Sequence, residues 1–201
     1  MATDKTPFSR IAPYYSDLIG KYGQTPRACD YGRDESQRIK YKVLSEVMDL
    51  SGQRLLDVGC GFATYADFLN ERYRDVGYSG LDLTPEMAAH AQATHPGLDI
   101  KAGNILDYQP TCPFDVVSAN GIFYLIENDP WLEMQKIVRK MFSLATKALV
   151  FNSLSIWATD QAENEFYADP VETMAFCRSL TSKLTLRHDY HSRDFTLYLY
   201  K

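Results

Sequence analysis

Apolar residues along this 201-residue chain alternate between helical and strand-like spacing. Within residues 34–50, Ile39, Val43 and Val47 recur every four positions, which places them on one face of a predicted helix. Short apolar runs predict strands at 54–59, 76–83, 98–103, 114–119 and 148–152, and helical patterns predict helices at 63–72, 85–95 and 129–145. Repeated strand–helix units of this kind form parallel sheets with right-handed crossovers and helices on both faces.

Three predicted helix starts share a pattern, a short polar residue followed by proline. Thr84-Pro85, Asp129-Pro130 and Asp169-Pro170 each place a short polar side chain before a proline. The polar residue is a favourable N-cap, and proline at the first helical position loses no helical hydrogen bond. These pairs predict helices that begin at residues 85, 130 and 170.

The C-terminal part of the chain breaks the alternation. Residues 184–187 and 195–200 are strand-like, with a polar turn around His191 and no helix between them. Phe195, Leu197 and Leu199 repeat every second position, which is the period of a strand. The predicted fold class is therefore α/β, a doubly wound, mostly parallel sheet that ends in an antiparallel hairpin.

The chain divides into an N-terminal segment and one domain. Residues 1–33 lack a clear period and carry Tyr14, Tyr15, Tyr22 and Tyr31 among glycines and prolines. We expect them to form a lid or cap over a core built by residues 34–201.

Composition and charge narrow the possible partners. The net charge of −5 and the pI of about 5.4 disfavour binding to nucleic acid, since a negative surface repels phosphates. No apolar run approaches the roughly 20 residues that cross a bilayer, so we expect a soluble, cytoplasmic protein without a membrane partner. The four cysteines form no C-x-x-C pair, which predicts neither a metal site nor a disulfide framework. The sequence does not indicate an oligomeric state.

A ligand site is expected in the loop after the first predicted strand. Ligands of open α/β sheets bind beyond the carboxyl ends of the strands, where strand order reverses. Gly59 and Gly61 permit a tight turn there, and Asp57 lies just before them. Asp82 ends the next strand, 21 residues beyond Gly61, where a carboxylate can accept the hydroxyls of a ribose.

These features suit either a dinucleotide or an adenosyl-sulfonium ligand. A dinucleotide site prefers a third glycine, which lets a helix approach the pyrophosphate, and this chain has Thr64 there. Asp57 would repel a pyrophosphate but attract a cationic amino acid. The comparison favours an adenosyl methyl donor.

Four motifs in order carry a family resemblance. Residues 55–61 (Leu-Leu-Asp-Val-Gly-Cys-Gly) resemble the first motif of class I S-adenosylmethionine-dependent methyltransferases, and residues 80–87 resemble the second. Residues 103–107 and 114–117 resemble the third and fourth motifs. The resemblance implies that family's seven-stranded, Rossmann-like sheet and S-adenosyl-L-methionine as the cofactor.

The resemblance also assigns roles by position. It implies that Gly59, Cys60 and Gly61 line the methionine moiety and that Asp82 holds the ribose. The remaining positions are Leu83, Met87, Asn104 and Ile105 at the adenine, and Ala119 and Asn120 near the amino acid end of the donor. The chain departs from the family at Ala63, where a third glycine is usual, and at Asn104, where an aspartate is usual.

Candidate residues for catalysis and substrate binding lie mainly just beyond the carboxyl ends of the predicted strands. The catalytic candidates are His191, His188 and Tyr124; the substrate candidates are Tyr14, Tyr15, Asn152, Ser153 and Tyr190; and Arg38 is a candidate partner for the donor carboxylate. An imidazole titrates near neutrality and can act as a general base, although His191 also fits an exposed turn.

The expected function is methyl transfer to an oxygen or nitrogen atom of a small-molecule metabolite or natural-product intermediate. An NAD(P)-dependent oxidoreductase and a non-catalytic S-adenosylmethionine-binding module are the alternatives.

Overall fold

The computed structural model describes residues 6–23, 25–30 and 34–201. Tyr31, predicted within the lid segment, lies outside the described residues. None of the described helices combines the length and the apolar character needed to cross a lipid bilayer.

Seven strands form one sheet. Their bounds are β1 Arg54–Val58, β2 Gly77–Asp82, β3 Asp99–Ala102, β4 Phe114–Ala119, β5 Ala145–Leu154, β6 Leu184–Arg187 and β7 Asp194–Tyr200. The strand order is β3-β2-β1-β4-β5-β7-β6, in which β1 to β5 run parallel and β7 is antiparallel to both β5 and β6. This confirms the predicted fold class, including the C-terminal hairpin. The order reverses between β1 and β4, so a crevice opens at their carboxyl ends.

The described residues form six α-helices. They are α1 Ile11–Tyr22, α2 Asp34–Ser45, α3 Thr64–Asn70, α4 Pro85–Thr94, α5 Pro130–Leu144 and α6 Pro170–Arg178. Side chains of the central strands alternate between two core clusters: Leu55 packs with α2, α3 and α4, while Leu56 packs with α5 and α6. The predicted layers on both faces of the sheet are therefore present.

Several element ends differ from the predicted ones. Helix α2 ends at Ser45 rather than at residue 50, because the N–H of Glu46 is shared between the carbonyls of Lys42 and Val43 and the turn tightens. Strand β5 begins at Ala145 rather than at residue 148, because α5 passes into it without a loop.

The N-terminal segment is more regular than its sequence suggests. Helix α1 is followed by a one-turn 3₁₀-helix, Pro26–Cys29, and both lie over the loop after β1. Tyr15, Leu18 and Cys29 pack against a small apolar cluster that includes Phe62 and Met87. This segment, residues 6–30 without residue 24, is called the lid below.

Candidate functional site

A cavity of about 760 Å³ lies at the carboxyl ends of β1, β2 and β4, within the size range of small-molecule sites. Its walls come from the strand-end loops, from α2, from the lid and from the C-terminal hairpin. The predicted site residues that line it are Asp57, Gly59, Cys60, Gly61, Asp82, Leu83, Met87, Asn104, Ile105, Asn120, Tyr15, Tyr124, Ser153 and His191.

The glycine loop after β1 forms a cradle. Gly59 and Gly61 have φ angles of +75° and +54°, a left-handed region that L side chains rarely adopt. A Cβ atom at Gly59 would lie 2.4 Å from Cγ2 of Ile122, and one at Gly61 would lie 3.3 Å from Sγ of Cys29. Ala63, where the family usually has glycine, also has a positive φ of +59°, which costs roughly 1–2 kcal/mol for a residue with a Cβ.

Asp82 joins the loops that follow β1 and β2. One carboxylate oxygen accepts the N–H of Gly61 at 2.7 Å, and the other accepts the N–H of Thr84 at 2.8 Å. Burial raises the pKa of Asp82 above its usual value, although both backbone donors favour the ionised form. Each carboxylate oxygen has a second lone pair, so this fixed carboxylate can still accept hydroxyl groups from a ligand.

Asp57 is a second buried carboxylate at this wall. The phenol of Tyr78 donates to it at 2.6 Å. Burial, together with the charge of Asp82, raises the pKa of Asp57 to about 7.

Another part of the cavity wall is mainly apolar. Leu83, Met87 and Ile105 line it, and the side-chain oxygen of Asn104 accepts the N–H of Leu106 at 3.0 Å, which shapes the turn after β3. A cradle that side chains would fill, a fixed buried carboxylate and an apolar wall suited to a flat base together fit an adenosyl ligand.

The carboxyl ends of β4 and β5 are held by an amide pair. Asn152 accepts the N–H of Gly121 at 2.7 Å and donates to the side-chain oxygen of Asn120 at 2.7 Å. Asn152 is fully buried and does not line the cavity, whereas Asn120 and Ser153 do. Asn152 therefore supports the turn that presents Asn120.

A histidine–aspartate–lysine group lies across the cavity from the cradle. Nδ1 of His191 is 2.7 Å from one oxygen of Asp194, and Nζ of Lys40 is 3.0 Å from the other. Burial opposes the ionisation of Asp194, but the contact with His191 and the charge of Lys40 hold its pKa below the usual value. Sequence reasoning found His191 and missed Asp194 and Lys40, because no local pattern links two residues 154 positions apart.

Nδ1 of His191 has two contacts that require different tautomers. The backbone N–H of Arg193 donates to Nδ1 at 3.2 Å, which requires Nδ1 to accept. The shorter contact is with Asp194, whose buried oxygen has no hydrogen bond of normal geometry among the described residues and would be satisfied by a proton on Nδ1. With the proton on Nδ1, Nε2, which is 3.3 Å from the hydroxyl of Ser36, carries a lone pair.

Tyrosine hydroxyls close the lid side of the cavity. Tyr124 and Tyr14 donate to one oxygen of Asp30 at 2.8 and 2.9 Å, and the hydroxyl of Tyr15 lies 3.0 Å from that of Tyr124. Burial raises the pKa of Tyr14 to about 12 and the pKa values of Tyr15 and Tyr124 further. These phenols therefore stay protonated and act as hydrogen-bond donors rather than as bases.

Other predicted site residues lie outside the cavity lining. Arg38 is more than half exposed, pairs with Glu71 at 2.9 Å, stacks over Phe68 and does not line the cavity. His188 contacts the hydroxyl of Ser155 at 2.9 Å, and its ring packs between Trp157 and Phe195.

Three further predicted residues are also engaged elsewhere. Tyr14 contacts Asp30, as described above. The hydroxyl of Tyr190 is 2.7 Å from that of Thr196, and Ala119 is fully buried in the core at the end of β4.

This chain is similar to several known methyltransferases in sequence or in fold. Residues 56–147 match a family model described as a methyltransferase domain. A trans-aconitate 2-methyltransferase from Rhizobium rhizogenes is 33% identical over 95 residues, which span 47% of this chain and 37% of that relative. A putative methyltransferase from Mycobacterium tuberculosis is 26% identical over 155 residues, or 72% of this chain and 91% of the relative. The chain thus spans little more than a third of the trans-aconitate enzyme that it matches.

Solved structures show the same fold at low sequence identity. The magnesium protoporphyrin IX methyltransferase of Synechocystis with bound SAH has a TM-score of 0.71 at 11% identity, covering 96% of this chain and 99% of that one. The DhpI–SAH complex has a TM-score of 0.70 at 14% identity, covering 98% and 97%.

Proposed function

We propose that the chain carries a class I S-adenosylmethionine-dependent methyltransferase domain and that it transfers a methyl group from S-adenosyl-L-methionine to an oxygen or nitrogen atom of a small molecule. The observation that carries the proposal is Asp82, a buried carboxylate fixed by two backbone N–H groups in a cavity that a glycine cradle keeps open.

Different residues of the cavity would bind different parts of the donor. Asp82 would accept the ribose hydroxyls, while Leu83, Met87 and Ile105 would cover the adenine. Gly59 to Gly61 and Asn120 would surround the methionine moiety, with Asp57 available to its ammonium. The bound donor supplies an electrophilic methyl carbon on a sulfonium.

Methyl transfer requires little covalent chemistry from the protein. The enzyme has to hold the acceptor atom in line with the methyl carbon and to exclude water, and the lid serves the second purpose. Where the acceptor must lose a proton, Nε2 of His191 would take it, and Asp194 would stabilise the imidazolium that forms.

Donor binding by Asp82 can be measured directly. We expect Asp82→Ala to weaken S-adenosylhomocysteine binding in calorimetry by about 1–3 kcal/mol, since hydrogen bonds to a buried ligand are lost. Asp99→Ala, an exposed aspartate at the start of β3, is the matched control and should bind as the wild type does. Equal affinity in the wild type and Asp82→Ala would show that the ribose is held elsewhere.

The role of His191 is tested by separating turnover from binding. We expect His191→Ala to lower kcat by about 10²–10⁴-fold for an acceptor that must be deprotonated, with donor affinity unchanged. Asp194→Asn should also lower kcat for that acceptor, because the imidazolium that forms loses its anionic partner. Full activity in His191→Ala would exclude the base role.

The alternatives predict other outcomes. A dinucleotide enzyme would bind NADH, yet Thr64 occupies the place of the third glycine and its hydroxyl is 2.8 Å from that of Tyr41. A non-catalytic module would bind S-adenosylhomocysteine and transfer no methyl group to any acceptor in a labelled-donor screen. That screen should include trans-aconitate, because the relative from Rhizobium rhizogenes is a trans-aconitate 2-methyltransferase.

We further propose a cytoplasmic location and no nucleic-acid partner. The four cysteines are free thiols, which suits a reducing compartment, and the net charge of −5 disfavours phosphate binding. Cell fractionation and a filter-binding assay with RNA check the two statements.

A further inference from the structure

We infer that the methyl acceptor is an apolar, aromatic-sized amine rather than a carboxylate. The inference rests on the proposed function and concerns the part of the cavity away from the glycine cradle, called the acceptor half. It is bounded by the lid, α2, the loop after β4 and the C-terminal hairpin.

Most of the acceptor half is apolar. Ile11 of the lid, Ile39 of α2, Leu125 after β4 and Leu154 at the end of β5 line it. Burying such surface against an apolar skeleton is favourable. A compact, fully charged acceptor would bury little of this apolar surface.

Both cations of the acceptor half already contact carboxylates. Among the described residues that line it, Lys40 lies 3.0 Å from Asp194, and the two side chains are 12% and 2% exposed. Arg193 lies 2.9 Å from Glu165 and also contacts the hydroxyl of Tyr167. A carboxylate acceptor would have to compete with these anions for the same two cations.

Two acids of the acceptor half have no cationic partner among the described residues. Glu35 lies one turn before Ile39 on the cavity-facing side of α2. Asp30 accepts hydrogen bonds from two phenols, which do not neutralise its charge. Both residues are solvent-exposed, so water and salt screen their charges, but each still favours a cation over an anion at this end of the cavity.

An amine is also consistent with His191, whose Nε2 lies 3.3 Å from the hydroxyl of Ser36, next to Glu35 on α2. The ammonium form is attracted by Asp30 and Glu35 and gives one proton to Nε2 of His191, which becomes imidazolium beside Asp194. The freed nitrogen lone pair then forms the new N–C bond while the S–C bond of the donor breaks and its electron pair goes to sulfur. The products are a methylated ammonium, S-adenosylhomocysteine and a protonated His191, which returns its proton to solvent.

Matched ligand pairs test the substrate class. Calorimetry on protein saturated with S-adenosylhomocysteine compares 2-phenylethylamine with 3-phenylpropanoate, and tryptamine with indole-3-propanoate. We expect each amine to bind roughly tenfold or more tightly than its carboxylate partner. In Asp30→Asn/Glu35→Gln, which keeps the shapes of both side chains, that ratio should fall by roughly tenfold.

A control variant distinguishes the effect of the two cavity carboxylates from the effect of the protein's net charge. Asp99→Asn/Glu172→Gln removes two exposed carboxylates that lie outside the cavity lining, and it should keep the wild-type ratio. Tighter carboxylate binding, absence of binding by both classes, or an unchanged ratio in the Asp30/Glu35 variant overturns the inference. Loss of S-adenosylhomocysteine binding in the wild type would instead remove the proposed function, and the substrate class with it.

Discussion

At the scale of single residues, the two carboxylates at the ends of neighbouring strands accept different hydrogen bonds. Asp82 receives two backbone N–H groups, whereas Asp57 receives one phenol, from Tyr78. Both are buried, and burial raises both pKa values. Because the pKa of Asp57 rises to about 7, its charge changes within the physiological range of pH.

This charge change predicts a pH dependence of donor binding. Above about pH 7 Asp57 is ionised and attracts a cationic donor, and below it the neutral acid does not. We therefore expect S-adenosylmethionine affinity to increase by up to about tenfold between about pH 6 and about pH 8. Calorimetry at several pH values measures the slope, and Asp57→Asn should remove it. A slope that survives in Asp57→Asn would have to come from another group.

The raised pKa of Asp57 also makes the stability of the unligated protein depend on pH, in the opposite direction. The pKa of an aspartate in the unfolded chain is about 3.9. Between about pH 4 and about pH 7 the folded state therefore binds more protons at Asp57 than the unfolded state does. The contribution of Asp57 to stability is thus full at low pH and is lost as pH rises toward 7. Urea unfolding of the wild type and Asp57→Asn should differ in pH dependence over this window, with the wild type losing more stability.

At the scale of elements, the lid is attached to the domain by a few polar contacts. The guanidinium of Arg10 donates to the carbonyl of Leu125 at 2.8 Å and also to those of Tyr124 and Asn164. A single side chain thus joins the lid to the loop after β4 and to the loop before α6. The lid carries Tyr15 and Cys29 into the cavity wall, so its position decides whether water enters.

Removing this attachment should loosen the lid. We expect Arg10→Ala to raise the KM for the acceptor by about 5–30-fold, since its charged hydrogen bonds contribute about 1–2 kcal/mol. Hydrogen exchange should become faster in α1 and remain unchanged in the sheet. Arg27→Ala, at an exposed arginine of the 3₁₀-helix, is the control. Unchanged exchange in α1 would mean that apolar packing alone holds the lid.

Element starts were easier to predict than the polar contacts of the site. The predicted caps at Asp129 and Asp169 accept backbone N–H groups of their helices, because a cap acts over three residues and leaves a local sequence signal. Thr84 makes no such side-chain bond, although its helix begins at Pro85 as predicted. The cradle and Asp82 were predicted because a sharp turn and a strand end also have local signals.

Long-range contacts left no comparable signal. The link between Lys40 and Asp194 depends on how α2 meets the antiparallel strand β7, which no period along the chain encodes. Arg38 was predicted at the donor because of its charge, but its direction on α2 leads it to Glu71. Side-chain direction is set by tertiary packing, and a sequence pattern determines it only for apolar faces.

At the scale of the whole molecule, β7 connects the core to the acceptor half of the cavity. Asp194 starts this strand, and the buried hydroxyl of Tyr198 donates to the carbonyl of Val43 in α2 at 2.7 Å. Helix α2 in turn carries Glu35 and Lys40 into the cavity wall. The positions of Glu35 and Lys40 in the cavity wall therefore depend on contacts between β7 and α2, of which Tyr198 to Val43 and Asp194 to Lys40 are two.

Loss of the Tyr198 contact should reduce stability and disturb the site together. We expect Tyr198→Phe to lower the free energy of unfolding by about 1 kcal/mol, because a buried hydrogen bond is lost while the ring remains, and to lower the Tm by about 2–4 °C. Tyr200→Phe removes a longer bond of 3.2 Å, to Val47 from a half-buried ring, and should cost less. Calorimetric unfolding measures both. If Tyr200→Phe proved the more damaging, the hairpin would be anchored at its end rather than beside the cavity, and α2 would be positioned by its apolar face alone.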